Sequence, residues 1–120
     1  SMSYSGFKSL VYAGLKKDDP RAKAVLDWIG RHYTLENNPG QGDAGLYYYY
    51  NTFGVALAAS QLDEVATESG EEHNWRDDLV AELAERQQED GSWVNTNRQW
   101  FESDPNLCTA FALLALSYCD

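Results

Sequence analysis

The distribution of charge among the apolar segments constrains this chain more than any other feature. Tyr4 to Leu15 carries Phe7, Leu10, Val11, Gly14 and Leu15 at three- and four-residue spacing, with Lys8 as its one charge. Tyr47 to Leu62 has no charge before Asp63, and the segment opened by Asp104-Pro105 has none until Asp120. Two further segments lie between these and are one-sided. Val25, Leu26, Ile29 and Tyr33 form a stripe behind Asp19-Pro20, with Arg21, Lys23, Asp27 and Arg31 facing away. Trp75, Leu79, Val80 and Leu83 do the same after Asn74, against Arg76, Asp77, Asp78, Glu82, Glu85 and Arg86. All five have the helical period, and none shows the strict two-residue alternation of a half-exposed strand.

That order predicts an all-α chain of about five helices. Helices apolar all round need neighbours on both sides, whereas one-sided helices can form an outer layer, so the alternation predicts inner and outer helices in succession. The starts are marked chemically: Asp19-Pro20 and Asp104-Pro105 each place an accepting side chain at the N-cap and a proline at the first helical position. Arg21 with Arg76, Val25 with Val80 and Thr52 with Thr109 recur at roughly 55 residues, which predicts an internal duplication. The Gly/Asn-rich loop Glu36 to Gly45 and the acidic loop Asp63 to Glu72 are read as surface connections, the latter as simply solvated.

Composition excludes several roles. Nine Lys and Arg against 19 Asp and Glu give 120 residues a net charge of −10, which repels phosphate backbones and anionic lipid heads. No basic patch offsets it, so no nucleic-acid partner is expected. The most apolar stretch, Leu107 to Tyr118, is too short to span a bilayer, so no transmembrane segment is expected either. Cys108 and Cys119, if on one helix, lie too far apart along its axis for a disulfide. Neither they nor His32 and His73 show metal-ligand spacing, so no metal or cofactor is expected, and the compartment stays open. Ser1-Met2-Ser3 reads as a remnant of tag cleavage ahead of a single domain over residues 4–120.

One stretch is more specific: Arg86-Gln87-Gln88-Glu89-Asp90-Gly91-Ser92-Trp93, followed by Leu107-Cys-Thr-Ala-Phe-Ala-Leu-Leu-Ala-Leu116. Gly91 suits the left-handed turn that ends a helix, Gln88 offers an amide to unpaired terminal groups, and Trp93 can seal the corner over it. This stretch resembles the QW repeat of the prenyltransferase and squalene oxidase repeat superfamily, which includes squalene-hopene cyclases, oxidosqualene cyclases and protein prenyltransferase β subunits. The resemblance covers about Trp75 to Tyr118 and extends more weakly over Asp19 to Ala59, where Gly45-Leu46-Tyr47 stands as a degenerate Gly-x-aromatic. It implies an α/α toroid with two QW-type repeats, in which Gln87, Gln88, Gly91 and Trp93 form a structural corner. With so few inner helices the ring would be a partial one. Its open face would be covered by the rest of a longer chain or by a second copy in a homodimer.

The family's chemistry does not transfer. The chain has no Asp-x-Asp-Asp acid, no Asp-Asp-x-x-Asp metal motif and no Asp-x-Cys pair with a following His for zinc, so no residue is assigned a catalytic role. What remains is binding. Tyr47, Tyr48 and Tyr50, in a run of four tyrosines, and Trp100, Phe101 and Asp104 at the same end of the inner layer are the expected lining of an aromatic, isoprenoid-type site. Their plainer roles are core packing for the aromatics and an N-cap for Asp104. A glycosidase-like carboxylate pair among Asp43, Glu102 and Asp104 is the remaining catalytic reading. A structural or protein-interaction module is the alternative to ligand binding.

Overall fold

The computed structural model describes residues 19–97 and 102–120. Among these residues the elements are α1 (Pro20–Arg31), α2 (Leu46–Ala59), β1 (Glu64–Ala66), β2 (Glu72–Asn74), α3 (Trp75–Arg86) and α4 (Pro105–Ser117). The expected helix over Tyr4 to Leu15, like Trp100 and Phe101, lies outside the described residues.

The helix starts follow from their caps. Asp19 Oδ1 accepts from the Arg21 N–H at 2.9 Å, Asn74 Oδ1 from the Asp77 N–H at 3.2 Å and Asp104 Oδ1 from the Asn106 N–H at 2.9 Å. Arg21 also folds back onto Asp19, and its hydrogen bonds hold that carboxyl below the usual range. The stop of α2 falls short of Leu62: Ser60 closes the last turn, and Gln61 takes a left-handed conformation with φ 59°.

The all-α expectation is overturned by the segment after that stop. Glu64, Val65 and Ala66 pair antiparallel with Asn74, His73 and Glu72, so the acidic loop is a two-stranded hairpin and the chain is a small mixed domain, not an all-α partial toroid. The physical reason is local. Gly70, at φ 87°, turns the hairpin, and the Thr67 N–H donates to Glu71 O at 2.8 Å. Val65 alone of β1 is buried, and three-residue strands are too short to register as a two-residue period. The hairpin packs closely on α1: a Cβ added to Gly30 would lie 2.4 Å from the Ala66 carbonyl oxygen.

The two uncharged helices, α2 and α4, lie side by side and run in the same direction. Glu102, two residues ahead of the α4 cap, binds the first turn of α2, while Gly54 further along α2 faces the Ala115 carbonyl and the Tyr118 ring near the end of α4. The core between them and the amphipathic helices contains Tyr49, Tyr50, Phe53 and Leu57 of α2, Ile29 of α1, Trp75, Leu79 and Leu83 of α3, and Cys108, Ala112 and Ala115 of α4. Phe53 meets Trp75 edge to face at 6.1 Å, and the Trp75 indole N–H donates to Leu62 O, which closes the α2 end over α3.

Candidate functional site

The N-terminus of α2 is built from three separate stretches of chain. Its N-cap, Gly45, has φ 63° and no side chain to offer, so the first N–H groups of the helix need an acceptor from elsewhere. Glu102 supplies it: Oε1 accepts from the Tyr47 N–H at 2.9 Å and Oε2 from the Tyr48 N–H at 2.7 Å. The carboxylate is fully buried and rests on the positive end of the helix dipole, which offsets the cost of burying it. Asn95 completes the joint. Its side-chain amide donates to Glu102 Oε1 at 3.1 Å and to Asp43 O at 2.5 Å, and its backbone N–H donates to Glu102 O at 2.9 Å. The Cys108 thiol donates to that same carbonyl at 2.8 Å, and burial pushes its pKa up to about 11, so it stays protonated and unreactive at neutral pH.

This joint accounts for the acidic residues considered as a catalytic pair. Both oxygens of Glu102 are engaged by backbone N–H groups, Asp104 caps α4, and Asp43 Oδ1 accepts from the Asn97 amide at 2.9 Å. Sequence reasoning noticed Glu102 but not its role as the cap of a helix that begins 56 residues earlier. Only the missing capping side chain at Gly45 hinted at it.

The tyrosine run divides by helix geometry. Tyr47, Tyr49 and Tyr50 are buried, and Tyr48 is 45% exposed. The Tyr49 hydroxyl donates to Thr34 O and the Tyr50 hydroxyl to Leu35 O, each at 2.6 Å, while the Tyr47 ring stands edge-on to Tyr50 at 5.6 Å. Burial raises the pKa of Tyr47 to about 12 and that of Tyr50 further still. Of the four, Tyr48 is therefore the one presented outward. It meets Phe111 of α4 edge to face at 5.6 Å. Val55 follows Tyr48 by two turns on the same side of α2, and Leu107 and Leu114 flank Phe111 on α4. Leu114 is 46% exposed, so Tyr48, Phe111 and Leu114 form an apolar, aromatic-bearing surface across the two helices. Neither Phe111 nor Leu114 stands out within an uncharged apolar run; the exposure of one side of α4 reveals them.

The Gln-Trp stretch forms the corner between α3 and α4. The helix stops at Arg86, Gly91 takes φ 89°, and the Gln88 N–H donates to Ser92 O at 2.8 Å. The Gln87 amide donates to Gly91 O at 2.9 Å and the Gln88 amide reaches Ser92 Oγ at 3.2 Å. The free carbonyl of the last turn, Leu83 O, is met by the indole N–H of buried Trp93 at 2.9 Å rather than by a glutamine. Thr109 Oγ1 on α4 accepts the Trp93 N–H at 3.0 Å and fastens the corner to the next helix.

One constellation went unread in the sequence. The Tyr33 hydroxyl donates to Asp78 Oδ2 at 2.6 Å, His73 Nδ1 lies 3.4 Å from the same oxygen, and its Nε2 lies 3.5 Å from Glu71. The Tyr33 and His73 rings stack at 4.7 Å. Burial and the Asp78 carboxylate raise the Tyr33 pKa, which removes it as a base or nucleophile. The cluster ties β2 to α1 and α3. A cleft of about 340 Å³ between α1 and β1 is lined by Leu26, Asp27, Gly30, Arg31, Ala66, Thr67 and Glu68, none of them a residue expected to bind. Among the described residues no three His, Cys, Asp or Glu side chains group as a metal site, and no helix is long and apolar enough to cross a membrane.

No protein-family model, curated protein or solved structure matches this chain.

Proposed function

We propose that this small mixed domain is related to the QW-repeat proteins, terpenoid-cyclase-like or prenyltransferase-like, and contributes an apolar wall to the binding of an isoprenoid-type ligand. The observation that carries this is the outward surface of Tyr48, Phe111 and Leu114 on two adjacent uncharged helices. An aromatic pair set edge to face offers both contact area and negative ring faces, which suit an alkene chain or a developing carbocation. The Gln87-to-Trp93 corner supports the relation, because, of the residues that carry the resemblance, Gln87 braces the turn at Gly91 O and Trp93 meets the free carbonyl of α3. Glu102 and Asp104 are committed to helix caps, so the reading assigns the chain binding without a catalytic acid.

Detergent-free incubation with a squalene-like hydrocarbon or a prenyl diphosphate tests it. A rise in Tm with either, lost in Tyr48→Ala, is expected; no shift with both ligands overturns the reading. A second reading, a structural or protein-interaction module, is favoured by a different observation: Leu113 on the adjoining flank of α4 is 56% exposed.

A further inference from the structure

The flank of α4 that carries Leu113 has a counterpart inside the molecule. α2 and α4 are parallel and nearly equal in length, so their first residues, Leu46 and Pro105, can be set in register. Tyr47, Asn51, Gly54 and Ala58 of α2 then correspond to Asn106, Ala110, Leu113 and Ser117 of α4. On α2 this side is the one that receives α4. Gly54 faces Ala115 and Tyr118, and the helical wheel puts Asn51 and Ala58 on the same side. On α4 all four counterparts are exposed. The molecule thus uses one flank of an uncharged helix to seat a second uncharged helix, and presents the equivalent flank of that second helix to solvent.

We propose that this flank of α4 seats the α4 of a second copy of the chain, the two related by a two-fold axis. The proposal rests on the interaction reading of the flank and commits it to one partner. Charge favours that partner. A chain of net charge −10 repels itself over most of its surface, yet α4 carries no charge from Pro105 to Ser117, and only Asp104 and Asp120 bracket it. Self-apposition of α4 therefore brings together the surfaces of two copies that repel least. Ala110 and Ser117 are small enough for close approach, and Leu113 supplies the apolar contact. A helix of 13 residues is about 20 Å long, and one flank of it buries less than the ~800 Å² per partner of a standard interface. The dimer is accordingly weak and reversible. Screening of the remaining acidic charge strengthens it as salt is added.

Sedimentation of the full chain from roughly 1 µM to 1 mM, at low and at moderate salt, tests the proposal. The expected result is a rise from the 13.5 kDa monomer toward twice that mass, steeper in salt and lost in Leu113→Glu and in Ala110→Arg. Both positions are exposed, and circular dichroism and Tm checked against wild type separate lost association from lost folding. A dimer unaffected by either folded variant overturns the proposal, because its interface lies elsewhere. A wild-type chain that stays monomeric throughout overturns the second copy as partner. In that event, weaker binding of an apolar fluorescent dye to Leu113→Glu than to wild type preserves the flank as an interaction face, and equal dye binding overturns the interaction reading as well.

Discussion

The two loops that lead from an amphipathic helix into an uncharged one do the same work by opposite means. Between α3 and α4 the loop closes itself: Trp93 turns back to Leu83 O and the glutamine amides bind within four residues. Between α1 and α2 the loop is held from the helix that follows it, with Tyr49 and Tyr50 reaching Thr34 O and Leu35 O. The Asn38 side-chain amide adds a hydrogen bond, donated to Ala44 O. The first corner depends on one large side chain and the second on several smaller attachments. A third device couples them, since Asn95 of the later loop grips Asp43 of the earlier one and Glu102 grips Tyr47 and Tyr48 in the first turn of the helix that the earlier loop leads into.

The contrast breaks most visibly at Trp93. Trp93→Ala removes a buried indole and leaves Leu83 O unpaired, and should cost about 3–5 kcal/mol in denaturant unfolding. If the loss is no larger than that of a single tyrosine hydroxyl, the self-closing corner is not what holds α3 to α4. Glu102→Ala strips two helix N–H groups of a charged acceptor and should cost about 2–3 kcal/mol. Amide exchange in that variant should quicken at Tyr47 and Tyr48 as well as in the later loop; quickening in one loop alone would sever the proposed coupling.

A pH titration separates the corners without mutation. Tyr47 and Tyr50 have pKa values raised by burial, so the folded state holds their protons more tightly than the unfolded state does. Their contribution is complete below the ordinary phenol value of 10.0 and is lost as pH rises through it toward about 12 for Tyr47. The tyrosinate absorbance of these two buried rings should therefore appear together with loss of helix in that interval, with amide exchange rising first around Leu35, which Tyr50 holds. Trp93 does not titrate, and its corner should loosen later. The smallest effect is Tyr50→Phe, which removes one hydroxyl and should cost about 1 kcal/mol. A neutral result there would shift the weight of the α1–α2 corner to Tyr49 and Asn38.

The same contrast explains what could be read from the residues. The caps at Asp19, Asn74 and Asp104, and the corner ending in Trp93, involve partners within a few turns, so spacing alone carries them. The attachments of Tyr49 and Tyr50 span 15 residues and that of Glu102 spans 55, and no local pattern encodes such reach. The tyrosine run accordingly reads as a ligand wall when three of its four members are buried structural groups. The hairpin is missed for a different reason: Glu64, Glu72 and the residues between them look solvated, and backbone pairing with a Gly70 turn, not side-chain burial, makes them strands. Tyr48 and Phe111 become a surface only once α2 and α4 are known to be parallel neighbours.

The most direct test of the account is a side-chain NMR titration with an isoprenoid alcohol, in detergent-free buffer and below the concentration at which that alcohol aggregates. Saturable shifts confined to Tyr48, Val55, Leu107, Phe111 and Leu114, and abolished in a folded Phe111→Ala variant, are expected. Absence of saturable shifts, or shifts that persist unchanged in that variant, would contradict it.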